Sequence, residues 1–334
     1  MPGRACRLML PVLLRVALLL AALLAAPPRQ ATAETITVTH WGSAFYGAPY
    51  AVAMAKGFFR AHGVDITGIL TSTGGGTSVR NTLAGGLPYG EVALAAAMEA
   101  VAAGQKLVIV NGGVDSIGDI LWIARPGTPF HSVQDLRGKR VGFTEPGSVT
   151  NMLILMALKA NGMTAHDVQL VAAGGIGANL SAVLNNAIDA GMTGEPVWSE
   201  NRDKVQPVFW AKDVLPPAMM QTVGITTRAF AAAHPDTLRA IIAARREGVA
   251  YIAAHPDEAA DITAAAYNGQ APLYRAVFRT LLSVNYWSDG RLDYAGMNRM
   301  AEGLRIIGKQ TGPVDWSRMV DASLLPGDLQ QASR

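Results

Sequence analysis

The sequence predicts an α/β protein of two lobes, each a mostly parallel sheet flanked by helices, with a helical C-terminal tail. Three observations carry this. Short apolar or β-branched runs, closed by Gly or Pro, alternate with helical patterns from Glu34 to about Thr226, the mark of βαβ units and parallel sheets. Two stretches of that region repeat one order of elements, with glycines at corresponding places. Beyond Thr226 the pattern is almost entirely helical. A chain of about 300 residues buries a sizeable core and usually divides into two compact parts.

Residues 1–33 read as an export signal. Arg4 and Arg7 precede an apolar stretch that begins at Leu8 and is broken by Pro11 and Arg15. Its longest clean run, residues 16–26, has eleven residues, short of the about 20 that a membrane span needs. Pro27-Pro28 follows, and then Ala31-Thr32-Ala33 fits a small-x-small cleavage site before Glu34. The segment carries Arg4, Arg7, Arg15 and Arg29, so removing these four from 28 basic residues leaves 24 against 25 acids, a net charge of −1. The basic balance of the whole chain therefore belongs to the signal, and no nucleic-acid surface is implied. Cys6, the only cysteine, also falls in the signal. The remaining chain is expected to have no disulfide, thiol nucleophile or thiolate metal site, and no cofactor or metal is expected.

Strands are expected at 35–40, 64–70, 91–95, 107–111, 121–124, 140–143, 169–172, 190–193, 206–210 and 221–226. Helices fit between them at 50–61, 79–84, 148–161 and 179–186. The repeat is seen in Ala61-His62-Gly63, the strand at 64–70, Gly74-Gly75-Gly76 and the strand at Glu91, against Ala160-Asn161-Gly162, the strand at 169–172, Gly174-Gly175-Ile176-Gly177 and the strand at Ala190. Residues 126–132, Pro126-Gly127-Thr128-Pro129-Phe130-His131-Ser132, read as a boundary, and Ser132 with Asp135 makes a capping signal for the turn before Gly138. The second crossing is expected at residues 223–227. The expected division is thus 34–124 with 226–334 as one lobe, and 125–225 as the other. Tail helices are expected at 236–254, 257–267, 272–282 and 293–307, with Pro235, Pro256 and Pro272 near their starts, packed around the first lobe.

In such sheets ligands collect at the carboxyl ends of strands, beside helix N-termini. Trp41, Phe45 and Tyr46 follow the first strand in a Gly-rich loop, and Trp198 follows a later one; these are the candidate flat walls for a ring or alkyl body. Gly75, Gly76 and Thr77, and Gly147, Ser148, Val149 and Thr150, put small residues and hydroxyls where helices begin, with free N–H groups to attract an anion. Ala96 and Met98 follow the third strand, and Glu195 could accept from an amine or ring N–H. His40 is the only one of six histidines at a candidate loop, and a structural role is expected for it.

The run Gly47-Ala48-Pro49-Tyr50 through Ala55-Lys56-Gly57-Phe58-Phe59, followed by His62-Gly63-Val64-Asp65-Ile66, resembles the opening of solute-binding proteins of nitrate/sulfonate/taurine-type ABC importers, which share a domain with thiamine-pyrimidine-precursor-binding proteins. Asp135-Leu136-Arg137-Gly138-Lys139-Arg140-Val141-Gly142 with Gly147-Ser148 resembles the start of that family's second lobe, and Ala187-Ile188-Asp189-Ala190 and Glu195-Pro196 fit its pattern. The resemblance implies a periplasmic two-lobe flytrap of the type II binding-protein class, a monomer without catalysis that delivers a small molecule to a membrane permease and its ATPase. Its members take sulfonates, taurine, nitrate, pyrimidines and other organic molecules. The candidate loops contain no Lys or Arg but four aromatics and Glu195, which leans toward an organic ligand with a flat or apolar body. Two alternatives stand beside this reading. One is an enzyme like the thiamine-precursor synthases, whose cysteine-rich motif is absent here. The other is a receptor that presents ligand to a membrane sensor kinase. No G-x-S-x-G elbow, H-E-x-x-H or P-loop occurs.

Overall fold

The structure, a computed structural model, describes residues 33–332 apart from Thr73. The expected signal lies outside the described residues except for Ala33, which opens the first strand. The strands are β1 (Ala33–Val38), β2 (Asp65–Leu70), β3 (Tyr89–Ala93), β4 (Leu107–Gly112), β5 (Ile120–Ala124), β6 (Arg140–Phe143), β7 (Gln169–Ala172), β8 (Ala190–Gly194), β9 (Gln206–Trp210) and β10 (Thr222–Thr227). Helices of eight residues or more are α1 (Ala48–Ala55), α2 (Gly75–Ala84), α3 (Leu94–Ala102), α4 (Val149–Ala160), α5 (Ile176–Leu184), α6 (Pro235–Ala254), α7 (Pro256–Tyr267), α8 (Ala271–Ser283) and α9 (Tyr294–Ile306).

The strands form two five-stranded sheets, β2-β1-β3-β10-β4 and β7-β6-β8-β5-β9. The orders correspond position by position, so the repeat seen in the glycine pattern is a repeat of sheet topology. In each sheet four strands run one way and one opposes them: β10 is antiparallel to β3 and β4, and β5 is antiparallel to β8 and β9. The opposed strand is the one that enters from the other lobe. It arrives without a crossover helix to reverse its direction, so it lies antiparallel.

Two expectations are corrected here. The strand at 121–124, assigned to the first lobe, pairs with β8 and β9 and belongs to the second sheet. The strand at 222–227, where the return crossing was expected, lies wholly in the first sheet. Both crossings therefore fall earlier than the breaks in composition. They run side by side, with Gln221 N–H donating to Val114 O (2.7 Å), Ile117 N–H to Pro217 O (3.1 Å), and Ser116 bridging Ala218 antiparallel.

The tail also departs from expectation. The segment at Val320 lies parallel beside Ile109, and Ile109 N–H donates to Met319 O (2.8 Å), so it covers the β4 edge of the first sheet. Helix α9, expected on the first lobe, packs on α3 of that lobe and also on α4 of the second. Gly303 makes this possible, because a Cβ there would lie 2.6 Å from Met152 Cβ. Lys309 Nζ pairs with Glu99 (2.8 Å) and Lys159 Nζ with Glu302 (2.6 Å), one contact to each lobe.

Inside the first lobe lies an ion pair that no periodicity announces. Glu91 on β3 is 0% exposed and Arg245 on α6 is 1% exposed. Arg245 Nε donates to Glu91 Oε2 (2.8 Å), Nη1 to Ser288 O (2.8 Å) and Nη2 to Gly113 O (2.7 Å). Glu91 also accepts from Thr222 Oγ1 (2.7 Å) and from Tyr50 Oη (2.9 Å). Removing one partner of such a pair leaves an uncompensated buried charge, at a cost of about 3–5 kcal/mol. Arg245→Ala is expected to lower stability by about that amount in urea unfolding. A loss under about 1 kcal/mol would show that the pair does not hold the lobe.

Candidate functional site

The cleft between the two sheets is lined from the first lobe by Thr39, His40, Ala44, Tyr46, Gly74, Gly75 and Ala93. From the second lobe come Thr144, Ser148, Val149, Thr150, Ile176, Met192 and Gly194, with Asp119 and Ile120 at the crossing. These positions are the carboxyl ends of β1, β3, β6 and β8 and the first residues of α2, α4 and α5, so three helix starts converge on one space. The lobes are closed on each other, leaving only a narrow space between these residues.

Each part has a local cause. Gly75 opens α2 at φ +55 and Gly74 precedes it at φ +122, values that glycine adopts without strain. A Cβ on Gly74 would also lie 3.0 Å from His40 Nε2. Ser148 caps α4, its Oγ accepting from Asn151 N–H (3.1 Å). Thr150 Oγ1 lies 2.9 Å from Thr144 Oγ1 and 3.1 Å from Ser148 Oγ, and accepts from Thr144 N–H (3.0 Å), which makes a buried cluster of rotatable hydroxyls. Thr39 Oγ1 is buried with no hydrogen-bond partner among the described residues.

Among the described residues no Lys or Arg lines the cleft. Burial pushes His40 down to about 4, so its ring is neutral at pH 7. Its backbone sits at φ +55, a left-handed conformation uncommon outside glycine and frequent at functional sites. Burial pushes Asp119 up to about 7, against the pull of Tyr286 and Gln221. Tyr286 Oη donates to Asp119 Oδ2 (2.8 Å), Gln221 Nε2 to Oδ1 (3.2 Å), and Tyr46 Oη to Gln221 Oε1 (2.5 Å). A hydrogen-bonded chain thus runs from a cleft wall through both crossings. Among the described residues no group of three or more His, Cys, Asp or Glu is placed to hold a metal ion.

Of the residues singled out in the sequence, Tyr46, Gly75, Ser148, Val149 and Thr150 meet in this cleft. The others lie elsewhere. Phe45 is core, 0% exposed, packed against Tyr267, Tyr274 and Phe278. Trp41 sits edge-on to Tyr267 at 4.9 Å, and Trp198 edge-on to Trp210 at 5.8 Å. The expected aromatic walls are therefore mostly packing inside their own lobes. Gly76, Ala96 and Gly147 line a groove beside the cleft, between α2 and α3, and Met98 borders another with Lys309. Thr77 accepts from Arg80 on its own helix (2.8 Å). Glu195 turns back to Ser199 Oγ (2.9 Å), beside the lining residue Gly194. Ala96 and Met98 fall inside α3, not in a loop, because the helix begins as soon as β3 ends. His40 lines the cleft where only a structural role was expected. Asp119 was missed; its one signal is a Gly118-Asp119 pair set between apolar runs.

Two mixed α/β sheets joined by paired crossings around one closed cleft define the periplasmic-binding-protein fold. The chain belongs to the NMT1/THI5-like family, whose model matches residues 44–259. It is 28% identical over 232 residues to a putative binding protein of Brucella abortus, covering 66% of this chain and 68% of that one. It is 26% identical over 338 residues to the riboflavin-binding protein RibY of Chloroflexus aurantiacus, covering 90% and 89%. Among solved structures, the periplasmic aliphatic sulphonate binding protein SsuA of Escherichia coli superposes with a TM-score of 0.69 at 16% identity, covering 87% of this chain and 92% of that one. The desulfurization enzyme DSZB superposes at 0.61 and 16% identity, covering 90% and 98%. The same fold thus carries binding proteins and an enzyme.

The buried acids fix the sign of the pH response. Asp115 is pushed up to about 7 by burial and by Asp293, as Asp119 is by burial, against 3.8 for the free side chain. Both bind a proton in the folded state before they do in the unfolded one, so stability rises as pH falls through about 7. His40 opposes this below 6.5, where it is protonated only in the unfolded chain, and cancels about a third of the effect between pH 8 and 5.5. The urea midpoint is expected to be higher at pH 5.5 than at pH 8, by on the order of 2 kcal/mol in stability. An equal or lower midpoint at pH 5.5 would contradict this account of the two buried acids.

Proposed function

We propose that the chain is the exported substrate-binding component of an ABC importer, holding a small organic solute between its lobes and delivering it to a membrane permease and its ATPase. The observation that carries this is the convergence of three helix starts, a hydroxyl cluster and the unpartnered Thr39 Oγ1 on one cleft closed from both sides. Helix starts offer N–H donors to a carbonyl, sulfonyl or carboxyl oxygen, and rotatable hydroxyls donate or accept as the ligand requires. Contacts from both lobes give a ligand higher affinity for the shut form than for the open one, which is what shifts the population on binding. The family membership and the relatives that bind small molecules support the same reading. Among the sulfonate/taurine/nitrate-like and pyrimidine/aromatic classes, a cleft without Lys or Arg favours an organic molecule over a bare inorganic anion.

The test is thermal unfolding against methanesulfonate, taurine, nitrate, uracil, cytosine and riboflavin. A ligand at 100 times its dissociation constant adds about 2.7 kcal/mol, a rise of a few degrees. One organic class is expected to give that rise. A flat response across the panel would count against the receptor reading. Ser148→Trp fills the cleft from the start of α4 and is expected to abolish the rise while far-UV circular dichroism stays native. An unchanged rise in the folded variant would remove Ser148 from the site.

A further inference from the structure

Resting on that reading of the cleft, we propose that Glu145 sets its charge selectivity: reaching across from the second lobe, its carboxylate occupies the start of α2 in the first lobe and keeps anionic groups away from that helix end.

Glu145 stands in the loop between β6 and α4, yet a Cβ built on Gly75, the first residue of α2, would lie 2.9 Å from its Oε1 and 3.1 Å from Pro146 O. The first N–H groups of a ten-residue helix have no partners within it and carry the positive end of its dipole. That place would attract a ligand anion, and here the Glu145 carboxyl stands beside its first residue while its Oε1 accepts from none of the helix N–H groups. Glu145 Oε1 is buried without a hydrogen-bond partner among the described residues. Burial pushes this carboxyl up, against the pull of Arg80. Thr39, 1% exposed and lining the same cleft, has a second unpartnered oxygen, which marks the space as built for a ligand's polar groups.

The contact has a counterpart in the opposite direction. Glu99 on α3 of the first lobe faces Gly147, just ahead of α4 in the second, where a Cβ would lie 3.2 Å from Glu99 Oε1. That oxygen too is without a partner, while Lys309 holds Oε2 (2.8 Å). Each lobe thus sends one carboxylate to the helix start of the other. Unlike Glu99, Glu145 meets a residue that lines the cleft, so it is Glu145 that a ligand anion has to displace. An anion that does not displace it forgoes the helix end and meets like-charge repulsion.

The experiment is isothermal titration of methanesulfonate and of sulfate into the wild type, Glu145→Gln and Glu145→Ala, with folding checked by circular dichroism. Gln keeps the length without the charge, and Ala removes the side chain in case Gln packs differently. Both variants are expected to bind methanesulfonate at least tenfold tighter than the wild type, and the gain is expected to vanish when Ser148→Trp is added. Wild-type binding as tight as that of either variant would overturn the proposal, as would folded variants that gain nothing. A gain that survives Ser148→Trp would place the anion elsewhere and overturn it as well. If the variants gain methanesulfonate while no compound of the panel above binds the wild type, the charge gate stands and the receptor reading falls.

Discussion

The buried pair of Glu91 and Arg245 is the interaction on which the first lobe depends. It lies where five parts of the chain meet: β3 supplies Glu91, α1 Tyr50, β10 Thr222, α6 Arg245, and the outgoing crossing the Gly113 carbonyl. Tyr50 reaches Tyr89, and Tyr89 reaches Asn111 on β4, so the polar network spans the middle of the sheet. Burying charge is favourable only when the remaining donors and acceptors are satisfied. Here each guanidinium nitrogen has an acceptor and both carboxylate oxygens have donors. The network also fixes which strand returns from the second lobe. Thr222 both donates to Glu91 and accepts from Val114 N–H (2.9 Å), so the two crossings are held in register at the edge of this core.

From that register the cleft follows. The paired crossings carry Asp119 on one side and Gln221 on the other, and their hydrogen bond connects the base of the cleft to Tyr46 and Tyr286. The walls then combine helix caps and glycines with His40, Tyr46, Ile176 and Met192. The space thus offers hydroxyls and peptide N–H groups among apolar side chains, with no Lys or Arg among its described lining residues, and burial pushes the carboxyls of Asp119 and Glu195 up. Such a surface discriminates by geometry and by repulsion more than by attraction.

The sequence carried the sheets well and the side chains of the cleft unevenly. All ten strands lie within two or three residues of where β-branched runs and closing glycines put them, because those signals are local. The repeat was legible for the same reason, since Gly74–Gly76 and Gly174–Gly177 answer backbone demands at equivalent turns. Helix starts were legible too, and Gly75, Ser148 and Thr150 are where caps and turns had to be. The residues that lie away from the cleft are ones whose packing depends on other elements of the fold. Phe45 looks like a wall in a Gly-rich loop, but Tyr274, on which it packs, is far along the chain, and Trp198 packs on Trp210 of the neighbouring strand β9. Sheet membership of β5 and β10 is likewise invisible locally, because an apolar strand is equally at home in either sheet. Asp119 and Arg245 show the limit most plainly: an isolated charge in an apolar setting signals burial, but not which groups will satisfy it.

Helix α9 has a mechanical consequence. Two crossings alone make a hinge, free to swing until solvent-facing surfaces collide. A third element seated on both halves turns the hinge into a linkage with limited travel. The bearing surface is the seam where Gly303 lets the α9 backbone approach Met152, with α3 on the other side of α9. Any change in the angle between the lobes has to be accommodated at that seam, in an element that lines no part of the cleft.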